Sequence, residues 1–359
     1  MTPIFRAVRP EEQEACLTLW ARVFSPNEDF FERYFRDTHW QPHYTRVCEV
    51  DGTLVAAVQL VRRPVRLANG HTVWMAGIAN VATLPEYRGH GLASQLLRDL
   101  HAVMDSEDFT FGLLFTGIHE FYARLGWERL PLPLYEAVPK PAELGNWRFR
   151  VADETELPYL QRWYADFYAD HPLSVARDDT YWRVWTRWHD PAWRNKFYIA
   201  EDDTGTPRGY LALETHYETD TQGNRTVSAL GLAEVGCAPR DTAALQMMLR
   251  FASHSAHSAG ASLQVYLPEA DVAPFVPEVF TALKWLGQGG AMVRICSWQR
   301  VREALEQTGI PYAHPEAFGQ AGALALLFGI CLPEGVQLPP ELQEHFQLRR
   351  SCYSPVDSF

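Results

Sequence analysis

The run from Asn80 to Ala93 constrains the fold of this chain more than any other segment. Apolar residues before Pro85 predict a strand at 73–83. After it, apolar residues recur at nearly every fourth position from Leu92 to Met104, which is typical of an amphipathic helix. The run therefore predicts a strand, a glycine-rich turn and a helix in direct succession.

The turn itself carries the residues Arg88, Gly89 and Gly91. Two glycines let the backbone approach a ligand with no Cβ in the way, and an arginine adds a charged, forked donor. Free backbone N–H groups and the helix dipole favour an anion at a helix start. We predict a site for a diphosphate-bearing cofactor here. The alternative is an ordinary glycine turn that caps a helix.

Short strand and helix patterns on both sides of this segment indicate the fold class. We predict strands at 5–8, 46–50, 54–67 and 111–115, and helices at 11–24, 29–35 and 119–125. Strand, glycine turn, helix and strand in this order form an α/β unit. We therefore expect an α/β fold with a mixed sheet in the first part of the chain.

A second, similar cycle follows a proline-interrupted stretch. Prolines at 131, 133, 139 and 141 predict a linker, after which strands are expected at 147–151, 197–200, 208–216, 232–237 and 262–267, with helices at 154–168 and 242–257. The last part is different, with a strand at 292–295 and helices at 298–307 and 321–328. About 60 residues is marginal for an independent core, so this part should pack on the others. We predict domains at 1–140, 141–290 and 291–359.

Composition narrows the classes of partner. The net charge is −12, from 32 basic and 44 acidic residues, which argues against a nucleic-acid partner and modestly favours a cationic substrate. Six dispersed cysteines show no spacing for a metal or a redox pair, and fit a reducing cytoplasm. No apolar run is long enough to span a bilayer, and the N-terminus lacks a signal-peptide pattern. We expect a soluble, cytoplasmic protein without a metal.

The segment Arg88-Gly89-His90-Gly91-Leu92-Ala93 resembles the acetyl-CoA signature of the GCN5-related N-acetyltransferase (GNAT) superfamily, (Arg/Gln)-x-x-Gly-x-(Gly/Ala). The later run Phe121-Tyr122-Ala123-Arg124-Leu125-Gly126-Trp127 resembles a second motif near the end of these domains. The resemblance covers residues 1 to about 140 and implies acetyl-CoA as co-substrate. The cofactor-binding residues that it implies are Val81, Ala82, Thr83, Arg88, Gly89, His90, Gly91, Leu92, Ala93 and Thr116.

The whole chain resembles the Eis-like branch, which has an active GNAT domain, a degenerate second copy and a C-terminal domain related to sterol carrier proteins. Glu234 to Arg240 stands where the second phosphate turn would be and lacks the two glycines, so the second copy should not bind coenzyme A. The C-terminal segment is much shorter than the family's third domain. The resemblance also implies a homo-oligomer, a hexamer in these relatives.

Two catalytic residues follow from the same resemblance. Acetyl transfer to an amine needs a proton for the leaving thiolate, and Tyr122 is the candidate acid, although an aromatic side chain on a short helix is also an ordinary core residue. The C-terminal carboxylate, here Phe359, would act as base or orient the amine. A free α-carboxylate has a pKa of about 3.5, and a disordered tail is the alternative.

The acceptor pocket is expected near the early helices, on the side of the sheet opposite the coenzyme. Acidic side chains would attract a cation and aromatic ones would form walls. The candidates are Phe24, Glu28, Asp29, Trp40 and Asn80. The predicted activity is acetyl transfer to a primary amine of an aminoglycoside, a polyamine or a lysine side chain. The alternatives are a non-catalytic acetyl-CoA-binding regulator and a transferase for longer acyl chains.

Overall fold

A computed structural model describes residues 2–24, 28–219, 222–276, 278–310, 312–343, 346, 351 and 353–357. Its strands are β1 (Ile4–Ala7), β2 (Thr45–Val50), β3 (Thr53–Arg66), β4 (Thr72–Thr83), β5 (Phe109–Phe115), β6 (Glu128–Arg129), β7 (Tyr135–Pro139), β8 (Arg148–Val151), β9 (Phe197–Glu201), β10 (Pro207–Thr219), β11 (Arg225–Cys237), β12 (Ser262–Val265), β13 (Phe280–Trp285) and β14 (Ala291–Ile295). Its helices are α1 (Gln13–Phe24), α2 (Glu28–Arg36), α3 (Leu92–Ser106), α4 (His119–Ala123), α5 (Leu157–Phe167), α6 (Asp179–Val184), α7 (Pro191–Arg194), α8 (Thr242–Ser258), α9 (Glu269–Val272), α10 (Trp298–Gln307), α11 (Gly319–Phe328) and α12 (Pro340–Gln343).

The first sheet has seven strands in the order β1-β2-β3-β4-β5-β14-β6. Its strands pair antiparallel except β4 and β5, which are parallel and joined through α3. A parallel pair needs such a crossover connection, which a helix usually supplies. The predicted apolar face of α3 lies in the core, since Leu92, Leu96, Leu100 and Met104 are all buried. The strand–turn–helix prediction is confirmed.

The second sheet repeats this plan with seven strands in the order β13-β7-β12-β11-β10-β9-β8. Here β11 and β12 are the parallel pair, joined through α8. Each sheet has its own hydrophobic core among the described residues. The predicted α/β fold with a second, similar cycle is confirmed.

The two sheets exchange strands across the predicted domain boundaries. β7 lies in the stretch interpreted as a linker, yet it pairs with β12 and β13 of the second sheet. The linker interpretation is therefore wrong for β7: Pro139 is only the last residue of this strand, and Tyr135 and Ala137 are buried in alternation with more exposed neighbours. In the other direction, β14 pairs with β5 and β6 of the first sheet.

The C-terminal part packs on the first domain, as its small size predicts. α11 contacts β14, α10 and β6, and every residue from Ala321 to Phe328 is buried. These residues belong to the same core as α3 and β5. The likeness to a sterol carrier protein stays a prediction. Among the described helices, none has the length and apolarity needed to cross a membrane.

Candidate active site

The predicted phosphate turn lies at the exposed start of α3. A single 3-10 turn at Pro85–Tyr87 follows β4, and then Gly89 and Gly91 take left-handed backbone angles, with φ of +83° and +73°. A Cβ at either glycine would meet no atom within 4 Å, so these angles, and not crowding by the protein, favour glycine here. Open space in front of a left-handed turn is what an approaching ligand needs.

The N–H groups at the start of α3 are available to an anion. Gly91 is the N-cap residue, and no side chain in the described parts of the chain caps this helix. Arg88 is exposed, and its Nε donates to the backbone oxygen of Thr83 at 3.1 Å, which holds the guanidinium beside the end of β4. His90 is exposed and Ala93 half-buried, whereas the Leu92 side chain is buried. The residues present fit a diphosphate.

The corresponding turn of the second domain is already satisfied by the protein. Asp241 caps α8, its carboxylate accepting from the amide of Ala244 at 3.0 Å, and it also pairs with Arg208 at 2.7 Å. Glu234, at the start of the corresponding segment, is fully buried against Arg177. A carboxylate at a helix start occupies the place of an anionic ligand and repels one. An anion at the second turn would therefore meet carboxylates, whereas one at the first turn would not meet a capping side chain.

A gap opens between β4 and β5 next to the turn. The two strands pair from Trp74–Phe109 to Gly77–Leu113, and no pairing is found beyond that point. The β4 residues Asn80 and Val81 lie in a bulge against β3, where Asn80 has a φ of +51°. Ala82, by contrast, is buried opposite Ala57. The bulge directs this end of β4 away from regular sheet pairing.

Tyr122 lies on α4, which follows β5 on the other side of the gap. Its side chain is buried, with 7% exposed, and burial raises the pKa of its phenol to about 12. The phenol is therefore protonated at neutral pH and is a proton donor. The backbone oxygen of Tyr122 accepts from the amides of Leu125 and Trp127, which fixes the position of the residue. Thr116, just after β5, accepts from the amide of Ile118 at 3.0 Å through its hydroxyl.

A cavity of about 670 Å³ lies between the two domains and brings these elements together. Residues of α1, α2, β4, the β5–α4 connection, the second domain and the C-terminal segment form its walls. They are Phe24, Phe30, Phe31, Arg33, Tyr34, Ile78, Ala79, Asn80, Val81, Phe115, Thr116, Gly117, Ile118, Tyr122, Trp185, Thr186, Trp193, Lys196, Phe197, Ala212, Glu214, Pro355 and Val356.

Some predicted substrate residues lie elsewhere. Phe24 and Asn80 line the cavity. Glu28, Asp29 and Trp40 are not among the described lining residues. The Glu28 carboxylate accepts from the Thr18 hydroxyl at 2.6 Å on the outside of the early helices. The Trp40 indole N–H donates to the Thr45 hydroxyl at 3.0 Å, and Asp29 borders a separate groove. Phe359 lies outside the described residues.

The residues that the second domain contributes to the cavity were not predicted from the sequence. Trp185, Trp193, Lys196 and Glu214 line the cavity, and Lys196 Nζ lies 3.0 Å from a Glu214 carboxylate oxygen and 4.4 Å from the Trp193 ring centre. The one available signal was the density of aromatic residues between 181 and 198. No group of His, Cys, Asp or Glu side chains suited to a metal occurs in the described ranges.

Residues 5–130 match a family described as an acetyltransferase (GNAT) domain. This part of the chain is a GNAT domain. The matched region contains β4, the turn at Arg88, α3 and Tyr122, so the cavity borders the GNAT domain on one side. A search of curated protein sequences gave no match.

The complete tandem architecture of this chain is similar to that of several solved structures. A probable N-acyltransferase from Enterococcus faecalis superposes with a TM-score of 0.63 at 17% identity, over 84% of this chain and 75% of the other. Eis1 from Mycobacterium abscessus superposes with a TM-score of 0.55 at 16% identity, over 85% of this chain and 75% of the other. N-myristoyltransferase from Saccharomyces cerevisiae superposes with a TM-score of 0.53 at 11% identity, over 82% of this chain and 79% of the other. At these identities the likeness concerns the fold, and it confirms two tandem GNAT-like domains.

Proposed function

We propose that this protein is an acetyl-CoA-dependent N-acetyltransferase that acetylates a primary amine in the cavity between its two domains. The observation that carries the proposal is the placement of Tyr122, protonated at neutral pH, in a cavity that also contains the bulged end of β4. The uncapped start of α3 follows that strand after one short turn. Coenzyme site, proton donor and acceptor space are thus adjacent.

The proposed reaction is a direct attack within a ternary complex. The amine nitrogen forms a bond to the thioester carbonyl carbon, the carbon–sulfur bond breaks, and the thiolate takes up a proton. Tyr122 supplies that proton from its phenol. The N–H groups at the start of α3 and the Arg88 guanidinium bind the diphosphate, and Val81, Thr83 and Thr116 border the arm between diphosphate and thioester. General acid catalysis of this kind contributes on the order of 10²–10⁴-fold.

The attacking amine must lose a proton, and the Phe359 carboxylate is the proposed acceptor or positioning group. Support comes from the preceding segment, because Pro355 and Val356 line the cavity. Deletion of Phe359 should slow transfer and leave acetyl-CoA affinity unchanged. An unchanged rate in the deletion variant would remove this role from the proposal. A homo-oligomer is a further proposal that rests on the resemblance to Eis-like proteins, and a cytoplasmic location is one that rests on the dispersed cysteines.

A thiol-release assay with acetyl-CoA and a panel of primary amines tests the function. The panel should include a polyamine, an aminoglycoside, a lysine peptide and small aromatic amines, and acyl-CoAs of two, four, eight and fourteen carbons should be compared. We expect turnover with acetyl-CoA and at least one amine. Tight acetyl-CoA binding without turnover on any amine would indicate the non-catalytic regulator instead. A preference for eight or fourteen carbons would indicate a longer-chain acyltransferase.

A further inference from the structure

Arg33 on α2 is a buried charge that faces the cavity. Its side chain lines the wall, and the residue is only 7% exposed. Its guanidinium carbon lies 4.3 Å from the ring centre of Phe30 and 4.5 Å from that of Trp185, with Tyr34 and Trp193 at 5.3 and 5.7 Å. Aromatic faces attract a cation, but they supply no hydrogen-bond acceptor in the plane of the guanidinium.

No described residue forms a hydrogen bond or an ion pair with Arg33. Its Nε is buried without an acceptor. Asp29 and Glu32 border the neighbouring groove together with Arg33, but neither pairs with it, and Glu32 pairs with Arg36. Removing a charge from water without a partner costs several kcal/mol, so an arginine in this position requires an explanation.

Two other buried arginines of this chain show how a purely structural guanidinium is balanced. Arg63 lies on Trp185 as well, with a distance of 4.1 Å to that ring centre, and it donates to an Asp37 carboxylate at 2.5 Å. Arg177 pairs with both Glu234 and Asp357. Each of them has an aromatic face and a carboxylate. Arg33 has the aromatic faces and lacks the carboxylate.

The other polar groups that the structure describes in the cavity leave the charge of Arg33 uncompensated. Among the described lining residues the charged ones are Arg33, Lys196 and Glu214, and the last two pair with each other. Asn80, on the opposite wall from the second domain, also has a buried side-chain N–H group without an acceptor. In the part of the cavity wall that the structure describes, there is thus one free positive charge together with unpaired donors among aromatic side chains, which disfavours a polycationic acceptor.

We propose that the acceptor is an amine of the amino-acid class with an apolar or aromatic side chain, and that Arg33 binds its carboxylate. This rests on the proposed function, acetylation of an amine in this cavity. A guanidinium forms two parallel hydrogen bonds with a carboxylate, which the substrate supplies in place of the missing Asp or Glu. The aromatic walls then cover the apolar side chain, and the amine nitrogen of the same molecule is directed toward the thioester.

The test compares matched substrates in wild type and in Arg33→Met. Phenylalanine is compared with phenethylamine and with phenylalaninamide, and tryptophan with tryptamine, by kcat/KM in the thiol-release assay. We expect a preference of about tenfold or more for the amino acid over the amide in wild type, from one bidentate charged pair. Arg33→Met should abolish that preference, because it should lower kcat/KM for phenylalanine far more than for phenethylamine. The preference is the ratio of kcat/KM for phenylalanine to kcat/KM for phenylalaninamide. Dividing the wild-type ratio by the Arg33→Met ratio cancels the intrinsic reactivities of the amines.

Two controls separate binding from structure. Arg36→Met removes an exposed arginine from the same helix and should leave the preference intact. Because no described residue offers Arg33 a carboxylate, Arg33→Met should unfold at the same temperature as wild type or higher. A large decrease, with all substrates slowed equally, would make Arg33 structural and overturn the proposal. Equal wild-type rates for phenylalaninamide and phenylalanine would also overturn it.

Two further outcomes remain distinct. A strong preference for the aminophosphonate analogue of phenylalanine over phenylalanine itself would indicate a substrate with a phosphonate or phosphate group in place of the carboxylate. That result would contradict the amino-acid class. If no amine is acetylated, the proposed function fails, and quenching of tryptophan fluorescence by phenylalanine then decides the binding proposal separately. Saturable quenching in wild type that is lost in Arg33→Met supports it, and its absence in wild type refutes it.

Discussion

The Nε of Arg177 donates a hydrogen bond to an Asp357 carboxylate oxygen at 2.7 Å, joining two side chains that lie 180 positions apart. Both side chains are fully buried. The same guanidinium donates to Glu234 of β11, and the Ser354 hydroxyl donates to Glu234 at 2.7 Å. The C-terminal segment is therefore fastened to the second domain at the edge of the cavity, where Pro355 and Val356 form part of the wall.

Arg177→Met should lower the free energy of unfolding by about 3–5 kcal/mol, because it leaves two buried carboxylates without their shared cation. Denaturant titration measures the loss. Arg183→Met is the matched control: Arg183 pairs with Asp179 at 2.9 Å, but both side chains are 62% exposed, so this substitution should have a far smaller effect. Equal effects of the two substitutions would contradict this view of the anchor.

Tyr122→Phe should lower kcat by roughly a hundredfold or more, since it removes the proton donor and retains the ring. Because the pKa of Tyr122 is raised to about 12, the wild-type rate should rise as the acceptor amine loses its proton near pH 10 and should not fall from ionisation of the phenol below that pH. Acetyl-CoA affinity, measured by calorimetry, should not change. Tyr159→Phe, at an exposed site away from the cavity, should behave as wild type. A Tyr122→Phe enzyme with normal kcat would exclude this role.

Gly91→Ala should weaken acetyl-CoA binding beyond its effect on folding. Alanine at a φ of +73° costs about 1 kcal/mol of stability, and its Cβ would project into the open space assigned to the diphosphate. Gly205→Ala is a close match, with a φ of +79° and equally open surroundings in a remote turn. Both variants should lose similar stability, whereas only Gly91→Ala should lose affinity. If the Gly91→Ala and Gly205→Ala variants bound acetyl-CoA with similar affinity, the diphosphate would have to bind elsewhere.

Arg88→Ala should weaken acetyl-CoA binding by about tenfold, because one charged donor to the diphosphate is lost. The same variant should show a smaller increase in the dissociation constant between low and high salt than wild type, since fewer charges are involved. Arg22→Ala is the control, because it removes the same positive charge from an exposed arginine of α1 that pairs with Glu86. An Arg88→Ala protein that binds acetyl-CoA as wild type does would remove Arg88 from the site.

His101 should make the protein sensitive to acid. Burial lowers the pKa of His101 from 6.5 to about 4, and its Nε2 accepts a hydrogen bond from the Trp127 indole at 3.0 Å, which only the neutral ring can do. The unfolded chain binds the proton more readily, so the stability that is present above pH 6.5 is lost as the pH falls toward 4. The loss is about 3 kcal/mol. His101→Gln should flatten this pH dependence, while His71→Gln in an exposed turn should not.

The local patterns of the first domain were sufficient to predict its main features. The strand at β4, the glycine turn and α3 follow from residues adjacent in sequence, because period, turn chemistry and helix start are all local properties. The placement of Val81, Thr116 and Tyr122 around one cavity agrees with the resemblance to GNAT proteins.

What the sequence did not reveal depends on contacts between distant segments. The pairing of β14 with β5, and of β7 with β12, joins residues more than a hundred positions apart, and periodicity contains no information on such partners. Trp40 and Trp185 show the same limit: both are aromatic, and only the packing of the two domains puts Trp185 on the cavity and Trp40 against Thr45.

The exchange of β7 and β14 has a consequence for how the chain is made. During synthesis the turn at Arg88 leaves the ribosome early, but β5 keeps an unpaired edge until residue 295 has been translated, some 180 positions later. A fragment that ends at residue 140 would contain every implied coenzyme-binding residue and still lack a neighbour strand. The first sheet is thus completed only by a strand that follows the second sheet in the chain, so a fragment that ends at residue 140 should be less stable than the full chain.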